Sequence, residues 1–225
     1  ANTWTPKYIK GLGTNSTKEL EADIANPLMV NFVYDQYTMA AFNLAFKKCF
    51  ANSRKTWIEQ YRPHLGFERM TQLPFSTFID QELISFVIED NIRSIPGWDG
   101  LKPSQRKIME ASNRFWKKQV GSDKAPTLKV AQLGAETSRN MGYHYGEGSL
   151  EGAITLMAQR FIGTNNLPYL AEEGQFGTYY YGGEDAAAPR YPYTRPEWWW
   201  PYMYLKIDRD LLDFLIDDGK KIEPV

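Results

Sequence analysis

The 225-residue sequence contains one cysteine and only two histidines. Because Cys49 stands alone, an internal disulfide and a zinc site built from several cysteines are excluded, and a reducing, intracellular compartment is favoured. No apolar run approaches the roughly 20 residues that a bilayer-spanning helix needs. The first residues lack the basic start and apolar core of a signal peptide. We therefore expect a globular protein of the cell interior.

An excess of charge of either sign is also missing. The 26 basic and 27 acidic side chains leave a formal net charge of −1. Domains that bind nucleic acid often carry a basic footprint, so this total argues weakly against that partner, although it says little about one face. Aromatic residues are plentiful at 15%, with YYY at 179–181 and WWW at 198–200. Such clusters favour a core or a partner interface over a stacking surface.

The hydrophobic pattern predicts a mainly helical chain. Residues 62–74 carry Pro63, Gly66 and Pro74 and are predicted to be a linker. The segment QFGTYYYGG (175–183) combines β-forming residues with a Gly-Gly turn and predicts a wing hairpin. The resulting fold class is α+β, a winged helix (helix-turn-helix with a short β wing) preceded by a small helical segment. Helices are predicted at 38–50, 53–61, 76–92, 105–119, 127–141, 149–162 and 211–221.

Four basic residues surround a loop and the helix that follows it: Arg93, Lys102, Arg106 and Lys107. The backbone N–H groups at a helix start also favour an anion, and arginine binds phosphate oxygens in bidentate fashion. The set therefore predicts a phosphate-binding site, with a solvated basic helix start as an equal alternative.

Two further positions have the side chains for proton transfer and nucleophilic attack. His144 lies in a Gly-flanked turn and could accept a proton from a nucleophile, although a turn histidine bonded to backbone is the commoner case. In GGEDAAAPRYPYT, small residues deliver Arg190 beside Tyr191. Tyrosine attacks phosphorus only with help, and an adjacent guanidinium would neutralise the charge that develops on the phosphoryl oxygens. Packing is the alternative, since the chain has fourteen tyrosines.

The acidic clusters at 208–210 and 217–218 predict a solvated helix face rather than a metal site.

Five motifs together resemble the breakage-reunion core of eukaryotic-type type IIA DNA topoisomerases, including viral members. They occur in the family's order with similar spacing and cover most of residues 7–195. The motifs are KYIKGLGT, IRSIPGWDGLKPSQRK, KVAQLGAETSRNMGYHYGEGSL, FIGTNNL and GQFGTYYYGGEDAAAPRY.

The resemblance implies three regions: the tail of a Toprim region with linker helices (1–75), a winged-helix DNA-cleavage domain (76–195) and the start of a tower region (196–225). It implies a piece of a longer, homodimeric enzyme that acts on double-stranded DNA. Mg²⁺ and ATP would serve that complete enzyme from sites outside these residues, and the piece alone would be inactive. The implied location is the nucleus, or the host cell or virion for a viral protein.

The resemblance also implies roles for individual residues. Tyr191 would form a 5′-phosphotyrosyl link to DNA, Arg190 would stabilise the transition state, and His144 matches the first histidine of the family's YHHGE motif. Tyr145 replaces the second histidine, and Glu184 replaces a family lysine. DNA contacts are implied for Arg93, Asp99, Lys102, Arg106, Lys107, Tyr145, Gln175 and Thr178. Two alternatives remain open: a non-catalytic winged-helix DNA-binding module, and an interaction module that uses the aromatic clusters.

Overall fold

The computed structural model describes residues 15–27, 29–63, 70–97 and 99–224. The KYIKGLGT motif at 7–14 lies outside these residues. The chain forms two compact units, one extending through Ile95 and the other beginning at Pro96. The region boundaries implied after residues 75 and 195 remain a proposal. Among the residues described, no helix combines the length and apolar character needed to cross a membrane.

The first unit is mainly helical. Its helix α1 begins with a capping box, in which Ser16 and Glu19 satisfy each other's backbone N–H groups. The predicted helices over 38–50, 53–61 and 76–92 are confirmed, the third as one continuous helical run with a π-helical section at Phe78–Leu83. The expected linker instead contains a strand. The elements are α1 (Thr17–Ala25), β1 (Asn31–Val33), α2 (Thr38–Phe46), α3 (Ala51–Glu59), β2 (Gln72–Pro74), α4 (Phe75–Thr77) and α5 (Ile84–Ser94).

Two contacts hold this unit together around its parallel β1–β2 pair. The Phe32 ring stacks on the Phe75 ring at 5.1 Å between centroids. Asp35 accepts hydrogen bonds from the hydroxyls of Ser76 and Thr38, and these hold the pKa of Asp35 below its ordinary value. Strand pairing therefore fixes residues 72–74, where Pro74 breaks helical periodicity but is tolerated in a strand without inner neighbours.

The second unit packs three helices around a common core. Ile108, Leu133, Ile154 and Trp200 are all fully buried there. Helices α7 and α8 are joined by a tight turn at Gly142, whose φ of +58° favours glycine. This confirms the helix-turn-helix and the α+β fold class. The elements are α6 (Pro103–Trp116), β3 (Leu128–Lys129), α7 (Val130–Met141), α8 (Glu147–Ala158), β4 (Tyr193–Thr194), α9 (Trp200–Met203), β5 (Phe214–Asp217) and β6 (Lys220–Pro224).

The short strands of the wing lie elsewhere than the pattern at 175–183 predicts. Strand β3 pairs antiparallel with β4, and Glu173 bridges to Tyr193 on the other side. Residues Tyr179–Tyr181 form a 3-10 turn instead of a hairpin strand. Gly177 and Gly183 both have positive φ and approach each other closely, so the loop closes on itself.

The predicted closing helix at 211–221 is wrong, because these residues contribute to a β-hairpin. Strands β5 and β6 pair antiparallel. Asp218 (φ +47°) and Gly219 (φ +72°) form the two-residue connection. Two positive φ values are the requirement of a type I′ turn, for which Asp-Gly is a preferred sequence. Two-residue turn chemistry thus outweighs the helical spacing of the apolar residues.

Candidate nucleic-acid interface

The loop that carries Tyr191 is fixed on the first turn of α7. The carbonyl oxygens of Pro189 and Pro192 accept hydrogen bonds from the N–H groups of Ala131 and Val130, each at 3.0 Å. Those N–H groups have no partner within the helix, so the loop satisfies them. The Tyr191 N–H donates to the Ala188 carbonyl at 2.9 Å, which closes a turn. Both neighbours of the Arg-Tyr pair are therefore held in place.

The chain beyond Tyr191 is held on both edges. Tyr193 exchanges two backbone hydrogen bonds with Glu173, at 2.8 and 3.0 Å, and pairs with Lys129 on the opposite side. The buried Thr194 hydroxyl donates to the Ala171 carbonyl. Tyr191 thus precedes a strand that cannot shift easily.

Tyr191 and Arg190 present an exposed phenol and an exposed guanidinium side by side. The Tyr191 side chain is 60% exposed, and the Arg190 Cζ lies 4.8 Å from its ring centroid. Arg190 makes no ion pair with any residue that the structure describes. The pair therefore combines a nucleophile with a cation that is available to a phosphate.

Asp185 organises the loop before this pair, and sequence analysis missed it. Its carboxylate accepts hydrogen bonds from the Thr178 N–H (2.7 Å), the Thr178 hydroxyl (2.9 Å) and the Gln175 amide (3.1 Å). Desolvation acts to raise the pKa of Asp185, but the hydrogen bonds from Thr178 outweigh it and hold the pKa below its ordinary value. Gln175 and Thr178 therefore shape the loop. The only sequence signal was an acidic residue among small ones.

Arg106 is paired with Asp99 at the start of α6. Its Nε and Nη2 donate to the two carboxylate oxygens at 2.7 and 2.8 Å, and both side chains are about 15% exposed. Burial acts to raise the pKa of Asp99, yet hydrogen bonds from Arg106 and the Leu101 N–H bring it below its ordinary value. The bond to Asp99 likewise raises the pKa of Arg106. Asp99 thus balances and orients the predicted phosphate ligand.

The other two lysines of the predicted cluster differ from each other. Lys107 is largely buried and donates to Glu223 at 2.7 Å and to the Met141 carbonyl at 2.6 Å. Lys102 is exposed at the position before α6, where its N–H donates to the Gln105 side chain. Lys102 has no ion-pair partner among the described residues, so it is free to meet an anion.

His144 and Tyr191 lie at opposite ends of α7. The helix has twelve residues and is therefore roughly 17 Å long. The ring of His144, beyond its C-terminal end, contacts Asp217 at 3.2 Å, while Tyr145 is exposed and packs edge-on against Tyr143. Within one chain, the structure does not bring His144 to the Tyr191 hydroxyl.

Arg93 belongs to the first unit, where it pairs with Asp90 at 2.9 Å.

The acidic clusters are not helical, contrary to prediction. Residues 208–210 lie in a 3-10 turn, from which Arg209 binds the buried Glu110, and Asp217 lies in β5. In the described ranges, no three His, Cys, Asp or Glu side chains come close enough to hold a metal ion.

Comparison with known proteins gives a consistent assignment over the whole chain. The family model for the A-type chain of DNA gyrase/topoisomerase IV matches residues 93–225. A second model, described as the C-terminal associated domain of TOPRIM, matches residues 1–91. A crystal structure of the Plasmodium falciparum topoisomerase II DNA-binding, cleavage and re-ligation domain superposes with a TM-score of 0.67 at 32% identity. The match covers 97% of this chain and 30% of that one.

Relatives of known name lead to the same group. The chain is 40% identical to DNA topoisomerase 2 of Arabidopsis thaliana over 100% of its length, and 39% identical to that of Saccharomyces cerevisiae over 99%. It is 36% identical to the mitochondrial DNA topoisomerase 2 of Dictyostelium discoideum over 98%. It spans only 15 to 17% of the length of these relatives. On the family match and these likenesses together, the chain belongs to the type II DNA topoisomerase family.

Proposed function

We propose that this chain is part of the DNA breakage-reunion core of a type II topoisomerase, with Tyr191 as the nucleophile. The observation that carries the proposal is the locked loop on α7, which exposes the Tyr191 phenol beside a stacked, unpaired Arg190. A non-catalytic DNA-binding module would need the basic helix start but not this pair. The family match favours the catalytic function over that alternative.

The proposed reaction is a transesterification. The Tyr191 oxygen forms a bond to phosphorus while the bond from phosphorus to the 3′ oxygen breaks, and the phenolic proton is replaced by the new ester. The departing 3′ oxygen takes up a proton and becomes a hydroxyl. Its attack on the phosphotyrosyl ester reverses both changes, so religation needs no further energy source. Arg190 lies where it can neutralise the charge on the non-bridging oxygens.

The remaining predicted residues divide into DNA contacts and supports. Lys102 is free to meet a phosphate, and Arg106 keeps its Nη1 group available while Asp99 holds the other two nitrogens. Asp185, through Gln175 and Thr178, shapes the loop that leads to Tyr191. We assign His144 and Tyr145 to DNA contacts distant from the same chain's Tyr191. Arg93 and Lys107 would strengthen binding through their charge.

The complete enzyme is proposed to be a homodimer that uses ATP and Mg²⁺ on double-stranded DNA. The described residues offer no ligand set for the metal, so no step is assigned to a metal held by this chain. We place the enzyme with the DNA on which it acts, in the nucleus or, for a viral protein, in the host cell or virion.

Replacement of Tyr191 by phenylalanine tests this function. In the longer protein with its Toprim region, the Tyr191→Phe variant should lose the denaturant-stable protein–DNA adduct by more than about 10³-fold, as expected for a removed nucleophile. Tyr193→Phe is the matched control, because Tyr193 lies on the same loop with its ring beneath Lys129. The adduct is measured on end-labelled DNA. An adduct that persists in Tyr191→Phe at native yield would overturn the assignment.

A further inference from the structure

Three consecutive tyrosines stand exposed on the loop before Tyr191. Tyr179, Tyr180 and Tyr181 are 61%, 90% and 69% exposed. The first two rings meet edge-on at 6.0 Å, and no aromatic ring outside the group packs against them within the described residues. We call these three residues the tyrosine triad. The sequence favoured a core or interface role for both aromatic clusters, yet Trp199 and Trp200 are buried whereas the triad is not.

The triad is mounted on a fixed turn. Asp185 binds both the N–H and the hydroxyl of Thr178, immediately before the first tyrosine. The Gly183 N–H donates to the Thr178 carbonyl at 3.0 Å, and Gly182 closes the 3-10 turn with a φ of +59°. A turn that is already ordered loses little conformational entropy when its rings bind a partner. Rigid tyrosines are therefore effective contact residues.

The same loop connects the triad to the nucleophile. The Ala187 N–H donates to the Gln175 carbonyl at 2.9 Å, and this bond closes the loop that begins before the triad and ends four residues before Tyr191. A DNA strand that reaches Tyr191 therefore passes close to this loop. The surface is continuous with the proposed cleavage site.

The charge of the loop indicates which part of DNA it meets. Residues 175–189 contain Glu184 and Asp185 but no lysine or arginine. Such a segment does not attract phosphates, whereas aromatic rings stack on bases irrespective of sequence. An intact duplex hides its base faces, and a break in one strand lowers the cost of unstacking the adjoining step. Bases beside a break are thus the fitting ligand.

We propose that the tyrosine triad stacks on bases beside the strand break made by Tyr191 and so holds the broken end. This inference rests on the proposed function. The triad would take over part of the binding free energy that other charge distributions obtain from phosphate contacts. Such a contact is insensitive to salt, because stacking releases no counterions.

Binding of the chain to three duplexes tests the proposal: intact, nicked and with a one-nucleotide gap, all of one sequence. Fluorescence anisotropy should show native preference for the gapped duplex. A triple Tyr→Leu variant at 179, 180 and 181 should lose roughly tenfold or more in affinity for gapped DNA, the order expected for lost base stacking. The triple Tyr→Phe variant should retain it. The salt slope should stay unchanged in the leucine variant and fall by about 1 in Arg190→Ala, which removes a phosphate contact.

The outcomes separate this inference from the proposed function. If the leucine variant folds, shown by an unchanged unfolding midpoint, and binds gapped DNA like the native chain, the triad has no role in DNA binding. Native self-association that disappears in the leucine variant, seen by sedimentation, would overturn the inference in favour of a protein interface. If Tyr191 still forms its adduct in either case, the proposed function stands. A native chain that binds none of the duplexes at low salt contradicts both.

Discussion

Asp99 and Arg106 illustrate what single residues do at this site. The sequence places both in one loop-helix motif and predicts DNA contacts for each. The structure adds that two guanidinium nitrogens are already committed to Asp99 and that Gly97 lies against the guanidinium group. A side chain at residue 97 would collide with Arg106, with 2.0 Å between Cβ and Nη2. Such pairing depends on how the loop folds back, which spacing along the chain does not reveal.

The Asp99–Arg106 pair should make stability depend on acidic pH. Because the folded pKa of Asp99 is lowered, its contribution is fully present above the ordinary carboxyl pKa of about 4 and is lost as pH falls through the folded value. Asp99→Asn should lower the free energy of unfolding at pH 7 by about 1–3 kcal/mol, the range for a hydrogen bond to a charged group. The difference from the native chain should shrink below about pH 4.

Urea unfolding between pH 3 and 7 measures this difference. The exposed Asp123 provides the matched control, and Asp123→Asn should change stability by no more than about 0.5 kcal/mol. A difference between Asp99→Asn and the native chain that grows as pH falls would contradict the sign of the pKa shift.

At the scale of elements, local glycine and turn chemistry decided where sequence patterns succeeded. The long amphipathic helices α6, α7 and α8 were predicted because each buries one face in a common core. The hairpin β5–β6 was missed because apolar spacing outweighed the Asp-Gly signal in the prediction. The loop at 175–183 was missed because Gly177, Gly183 and Asp185 act across several residues. Contacts of that kind appear only when the chain has folded.

The close approach of Gly177 to Gly183 makes a testable element. An added Cβ at Gly177 would lie 2.5 Å from the Gly183 Cα, at a φ of +102°. Gly177→Ala should therefore lower the free energy of unfolding by about 3 kcal/mol or more, through backbone strain and overpacking together. Gly182→Ala is the control, since it has positive φ but open space, and should cost only about 1–2 kcal/mol. Equal losses in urea unfolding would show that the close contact is unimportant.

At the scale of the whole molecule, charge is balanced internally rather than spread as a basic face. Arg106 and Lys107 are each paired with a carboxylate, while Lys102 and Arg190 make no ion pair in the described part of the chain. A net charge of −1 is thus compatible with a few well-placed cations beside one nucleophile. The motifs predicted the family and the Arg190–Tyr191 pair. The separation of His144 from Tyr191 required the length and direction of α7.

The central claim is that Tyr191 becomes covalently joined to DNA, and direct identification of the joined residue tests it most sharply. The adduct formed by the longer protein is trapped with denaturant and digested with nuclease and trypsin. The peptide that begins at Tyr191 is then fragmented in a mass spectrometer, which separates Tyr191 from Tyr193. A nucleotide mass on Tyr191 is the predicted result. A nucleotide on Tyr193, on the tyrosine triad or on another residue would contradict the account.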